Sequence, residues 1–61
     1  MKEIKVRIPI ALSNYIRQLT YNDDLKLEEA EEEIAYTYRP VFGQEYDYVF
    51  DVDNDIIIYY V

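Results

Sequence analysis

Apolar and polar residues alternate strictly over residues 3–8, EIKVRI. Ile4, Val6 and Ile8 fall on one side, and Glu3, Lys5 and Arg7 on the other. A period of two predicts a half-buried β-strand. Pro9 ends that strand and suits the first turn of a helix, where its missing N–H is not needed. From residue 10 the period changes. Leu12, Tyr15, Ile16 and Leu19 recur at i, i+3, i+4 and i+7 as one apolar stripe, with Asn14, Arg17 and Gln18 on the wet side. The spacing predicts a helix over 10–21. YNDD at 21–24 predicts a turn in which Asn22, Asp23 or Asp24 caps a following helix.

Residues 25–36, LKLEEAEEEIAY, place acids in their first turns, which suits the positive end of a helix dipole. Leu27, Ala30 and Ile34 give a thin apolar stripe, so a second helix is predicted here. From Ala35 the pattern turns aromatic and β-branched. AYTYRPVF fits either an extended segment up to Pro40 or the end of the helix. Gly43, the single glycine, marks a turn.

The tail predicts a hairpin. Over 45–52, Tyr46, Tyr48, Phe50 and Val52 share one face, and Asp47, Val49 and Asp51 the other. Asp53-Asn54 or Asn54-Asp55 makes a tight turn, and residues 56–61 return. Ile57, Tyr59 and Val61 join the face of Tyr48 and Phe50, which is therefore the core face. Ile56, Ile58 and Tyr60 lie opposite, among aspartates, on a face too apolar to be left wet. That face, or the free edge of the last strand, is expected to meet another chain. The pattern predicts an α+β fold in a single domain, residues 1–61. It has an N-terminal strand, one or two helices and a C-terminal antiparallel β-hairpin. It predicts a homodimer with Ile56, Ile58 and Tyr60 at the interface.

Length sharpens this expectation. A chain of 61 residues buries only about 60% of the surface it exposes when unfolded, so its core is marginal. Small domains recruit disulfides, a metal or another subunit. With no cysteine and no histidine, a disulfide, a thiolate site and the commonest general base are all excluded. No catalytic constellation is visible. Ser13, the single serine, has no base near it in the pattern, and no glycine-rich loop shapes a site. The sequence therefore predicts a non-enzyme with no cofactor and no metal. The N-terminus lacks the apolar core of a signal peptide, and no apolar run reaches the roughly 18 residues of a membrane span. A cytoplasmic protein with no membrane partner is expected.

Charge is placed unevenly. The net charge of −7 divides into +3 over residues 1–20 and −10 over residues 21–61. The acidic part repels nucleic acid and favours a protein with a basic surface. DVDND at 51–55 begins like a calcium loop. However, Ile56 stands where that loop needs glycine and no glutamate follows at position twelve, so these are acids of a hairpin turn. EEAEEE at 28–33 is either a solvated helix face or an acidic binding surface. The eight tyrosines exceed what a small core needs, and tyrosine is favoured at interfaces. The candidate partner-binding residues are Glu28, Glu29, Glu31, Glu32, Glu33, Asp47, Asp51, Asp53 and Asp55. Tyr36, Tyr38, Tyr46 and Tyr60 would supply contact area.

Two resemblances bear on function. EIKVRIPIALSNYIRQL followed by DLKLEEAEEEI, within residues 3–34, resembles the strand, proline and two helices of a ribbon-helix-helix repressor. The resemblance implies a dimer whose Glu3, Lys5 and Arg7 face the major groove. The chain differs in its inter-helix turn, Asn22-Asp23-Asp24 in place of a glycine turn. It also differs at Leu27 and Glu28, where that family has a small hydroxyl or an amide near phosphate. With its acidic C-terminal part, such a domain is also similar to an antitoxin that masks a basic toxin. The short, acidic, tyrosine-rich and cysteine-free composition is similar in type to phage-encoded inhibitors of host defence. That likeness implies a viral protein in the host cytoplasm that binds a nucleic-acid-processing or immune factor. A small structural or assembly protein, adding its terminal strand to a neighbour's sheet, is the third expectation.

Overall fold

The computed structural model describes residues 2–61. Five elements follow in the order β1 (Glu3–Arg7), α1 (Ile10–Asn22), α2 (Asp24–Tyr38), β2 (Asp47–Asp51) and β3 (Ile56–Tyr60). The α+β architecture expected from the sequence is present, with both helices formed. The three strands make one antiparallel sheet in the order β1-β3-β2. β1 and β2 therefore run in the same direction with a gap between them, and β3 fills it. Ile57 sits between Val6 and Phe50, and Tyr59 between Ile4 and Tyr48.

This order corrects one expectation. The last strand has no free edge, because it is hydrogen-bonded to a neighbour on each side. Its apolarity on both faces is that of a central strand. Ile57 and Tyr59 are fully buried, whereas Ile56, Ile58 and Tyr60 are half-buried. The outer edges of the sheet belong to β1 and β2.

Both helices lie on the inner face of the sheet. Ile16 of α1, Ile34 and Ala35 of α2, Ile8, and Ile57 and Tyr59 of β3 form the core, with Leu27, Tyr48 and Phe50 packed around it. The aromatic rings meet edge-on. Tyr46 lies 5.9 Å from Tyr59, and Tyr48 lies 5.8 Å from Phe50, the arrangement that ring quadrupoles favour. The Tyr59 hydroxyl donates a 2.6 Å hydrogen bond to the Ala35 carbonyl, which ties the sheet to α2.

Four local details differ from the sequence reading. Pro9 stands at the cap of α1 rather than within it, and its carbonyl accepts the N–H groups of Leu12 and Ser13. Asp23 alone separates the helices, and its side chain makes no capping bond. α2 runs on to Tyr38, because Tyr38 continues the stripe of Leu27 and Ile34; packing outweighs the weak helix preference of the aromatic residues. The hairpin loop has four residues, Val52–Asp55, not two. Asp51 still pairs with Ile56, the Asn54 N–H donates to the Asp51 carbonyl, and Asp55 takes φ 56°.

Candidate functional site

α2 carries the densest charge on the molecule. Glu28, Glu32 and Tyr36 recur at i, i+4 and i+8 along one of its flanks. Glu29, Glu33 and Thr37 do so along the other. Glu28, Glu29, Glu32, Glu33 and Tyr36 are exposed. Glu31 falls on the apolar stripe between Leu27 and Ile34 and is half-buried. Its carboxyl is held above the usual glutamate range, first by burial and then by the neighbouring Glu28. The ion pairs among the described residues are Arg17–Asp53 and Lys26–Asp23. None of the five glutamates of α2 belongs to either.

The first flank borders a cleft of about 410 Å³ between α2 and β2, lined by Glu32, Tyr36, Arg39, Glu45, Tyr46 and Tyr48. Burial raises the Tyr48 phenol, and Glu32, Glu31 and Glu28 add to the effect in that order. The glutamates thus project their field over the aromatic floor of this cleft. Arg39 lies at its mouth. Its guanidinium stacks 3.8 Å from the centre of the Tyr36 ring and 4.7 Å from that of Phe42, donates to the Tyr36 carbonyl, and keeps its Nε buried without a partner. Phe42 is 90% exposed, so the clamp is a surface feature. The second flank borders a groove of about 580 Å³ against α1, lined by Lys26, Glu29, Glu33 and Tyr38 of α2 and by Leu12 and Tyr15 of α1.

The other sequence candidates are dispersed. Asp47, Asp51 and Tyr60 lie on the outer face of the sheet, opposite the helices. Asp51 accepts a hydrogen bond from the Asn54 amide. Asp53 pairs with Arg17 at the hairpin loop, and Asp55 gives its carbonyl to the Ile8 N–H. Tyr38 and Tyr46 are half-buried against the core. The structure therefore brings Glu32 together with Tyr36, Tyr46 and the unforeseen Tyr48, Glu45 and Arg39, with Glu28 and Glu31 close enough to act on Tyr48, while Glu29 and Glu33 border the other groove. The four aspartates stand apart from them. The signal for Arg39 and Phe42 was YTYRPVF, residues 36–42, where Tyr36 and Phe42 stand three positions on either side of Arg39; the turn that brings the three together was not in it. Glu3, Lys5 and Arg7 are exposed on the outer face of β1, which pairs along one edge with β3.

No family model, no curated protein and no solved structure matches the chain.

Proposed function

We propose that the protein is a non-enzymatic binder that occupies a basic surface of another protein, in the manner of a small inhibitor. The observation that carries this reading is the unpaired state of the α2 glutamates. Five like charges within two helical turns repel one another, and the charge of Glu28 adds to the burial that raises the affinity of Glu31 for a proton. A lysine- or arginine-rich partner relieves that repulsion, speeds association and discriminates against acidic competitors. Tyr36 and the cleft beside it supply contact area next to the charge, the mix typical of an interface centre. The setting we infer is the cytoplasm, and a phage protein directed against a host nucleic-acid-processing or immune factor fits the same features. No helix among the described residues is long and apolar enough to cross a membrane.

The test is a tagged pull-down from the host, with protein and nucleic acid in the eluate both identified. The triple substitution Glu29→Lys, Glu32→Lys and Glu33→Lys is run alongside. A stoichiometric protein partner that is lost from the triple variant supports the reading; a partner retained at full yield sinks it.

A second reading rests on Lys5 and Arg7, which are exposed and unpaired on β1. A DNA-binding regulator or antitoxin using Glu3, Lys5 and Arg7 predicts a gel shift at low salt that Arg7→Ala abolishes. The assembly reading loses its argument from a free terminal edge, since β3 is the central strand.

A further inference from the structure

The outer face of the sheet is built in three rows, and the register fixes which residues lie level with one another. Arg7, Ile56 and Asp51 form one cross-strand line. Lys5, Ile58 and Val49 form the next, and Glu3, Tyr60 and Asp47 the last. Read along the strands instead, β1 presents a net positive row, β3 a wholly apolar row and β2 a net negative row with one valine. Val49 is 49% exposed, and Ile56, Ile58 and Tyr60 keep part of their surface open.

We propose that this face is the contact between two copies of the chain, related by a two-fold axis that lies along β3. Such an axis exchanges the two flanking strands. It stacks the apolar row of one copy on that of the other, and sets the basic row of each over the acidic row of its mate. Arg7 then faces the second copy's Asp51, and Lys5 faces the second copy's Val49. Glu3 and the second copy's Asp47 meet at the far end, one register step from Lys5, which offsets part of their repulsion. The alternative in-plane axis, across the strands, pairs Arg7 with Glu3 but sets Lys5 against Lys5 and Asp47 against Asp51, so that the net basic row lies over its like and the net acidic row over its like. Charge complementarity therefore selects both the occupant, a second copy, and its orientation. Aligned packing of two sheets about 10 Å apart accommodates the arrangement. Three short strands make a face smaller than the ~800 Å² per partner of a standard interface, so the dimer is weak, in the micromolar-to-millimolar range. This contact lies on the opposite side of the sheet from α2 and does not depend on the proposed binding activity.

Sedimentation equilibrium of the full chain tests the contact. A reversible monomer–dimer equilibrium is expected below about 1 mM, and Ile58→Glu should weaken it at least tenfold with an unchanged circular dichroism spectrum. Cysteine cross-linking tests the orientation, since the chain has no cysteine of its own. Mixed Lys5→Cys and Val49→Cys chains should form a disulfide-linked pair several-fold faster than either variant alone. A chain monomeric up to that concentration, a dimer indifferent to Ile58→Glu, or Lys5→Cys chains that link to themselves faster than to Val49→Cys chains would each overturn the proposal. The cross-linking arm stands even if Ile58→Glu fails to fold.

Discussion

At the scale of single residues, two buried hydroxyls behave oppositely. Ser13 is 1% exposed and its Oγ has no partner. A buried hydroxyl without a hydrogen bond is a net cost, and alanine is also the better helix former. Ser13→Ala is therefore expected to stabilise the protein by about 1 kcal/mol in urea titration. Tyr59 is equally buried, but its hydroxyl is satisfied by the Ala35 carbonyl. Tyr59→Phe should cost about 1 kcal/mol at neutral pH. The same phenol is pushed from its ordinary value of 10.0 up to about 12, chiefly by burial, then by Tyr48, with Arg39 opposing. The fold favours the neutral phenol. Its contribution is whole below pH 10 and is lost as the pH rises through 12. Wild type should lose stability across that interval faster than Tyr59→Phe, as thermal melts at stepped alkaline pH would show. Neither hydroxyl's fate was legible in the sequence. Ser13 lies one position from Leu12 of the apolar stripe, and only the packing of α1 turns it inward.

At the scale of elements, the periods of two and 3.6 located β1, both helices and the hairpin, because each buries one face. They failed where a neighbour decides. The pattern left the end of α2 open between an extended segment and the end of the helix; Tyr38 sits on the stripe of Leu27 and Ile34, and packing keeps it helical. The same stripe contains Glu31, so a half-buried glutamate could have been inferred from spacing alone. The Arg39 clamp could not, since it needs the chain to turn after Pro40. That turn depends on Gly43, at φ 83°. A Cβ there meets nothing within 4 Å, so the cost of substitution is backbone conformation alone. Gly43→Ala should destabilise by about 1 kcal/mol, and Gly43→Asn by less, because asparagine tolerates the left-handed region better. Comparing the two melting temperatures checks this.

At the scale of the molecule, the sequence showed how much charge there was but not where it would gather. Twelve acids follow residue 20. The fold sends Asp47 and Asp51 to the outer face and Asp53 and Asp55 to the hairpin loop, and gathers five glutamates along α2, four of them exposed on its two flanks. Glu29, Glu32 and Glu33 are all exposed, so reversing them to lysine should leave the melting temperature within a few degrees while partner binding is lost. Binding by the wild type should slow as salt rises, because the steering field is screened over about 8 Å at physiological ionic strength. Strand order was the largest feature the sequence withheld. Antiparallel pairing of β2 with β3 is local and legible, but nothing in residues 3–8 announces that they flank the last strand.

The pairing of β1 with β3 brings the ends of the described chain side by side. The Lys2 N–H donates to the Val61 carbonyl, and the Val61 N–H donates to that of Lys2 at 2.9 Å. Half of the sheet thus forms only by closing a loop of nearly the whole chain, which makes for slow folding. A circular permutant, joined across these ends by a short linker and opened in the exposed loop near Gly43, would run β3, β1, α1, α2 after β2. Every strand pairing would then be between sequence neighbours. Stopped-flow refolding of that permutant should be faster than that of the parent, with the same sheet at equilibrium.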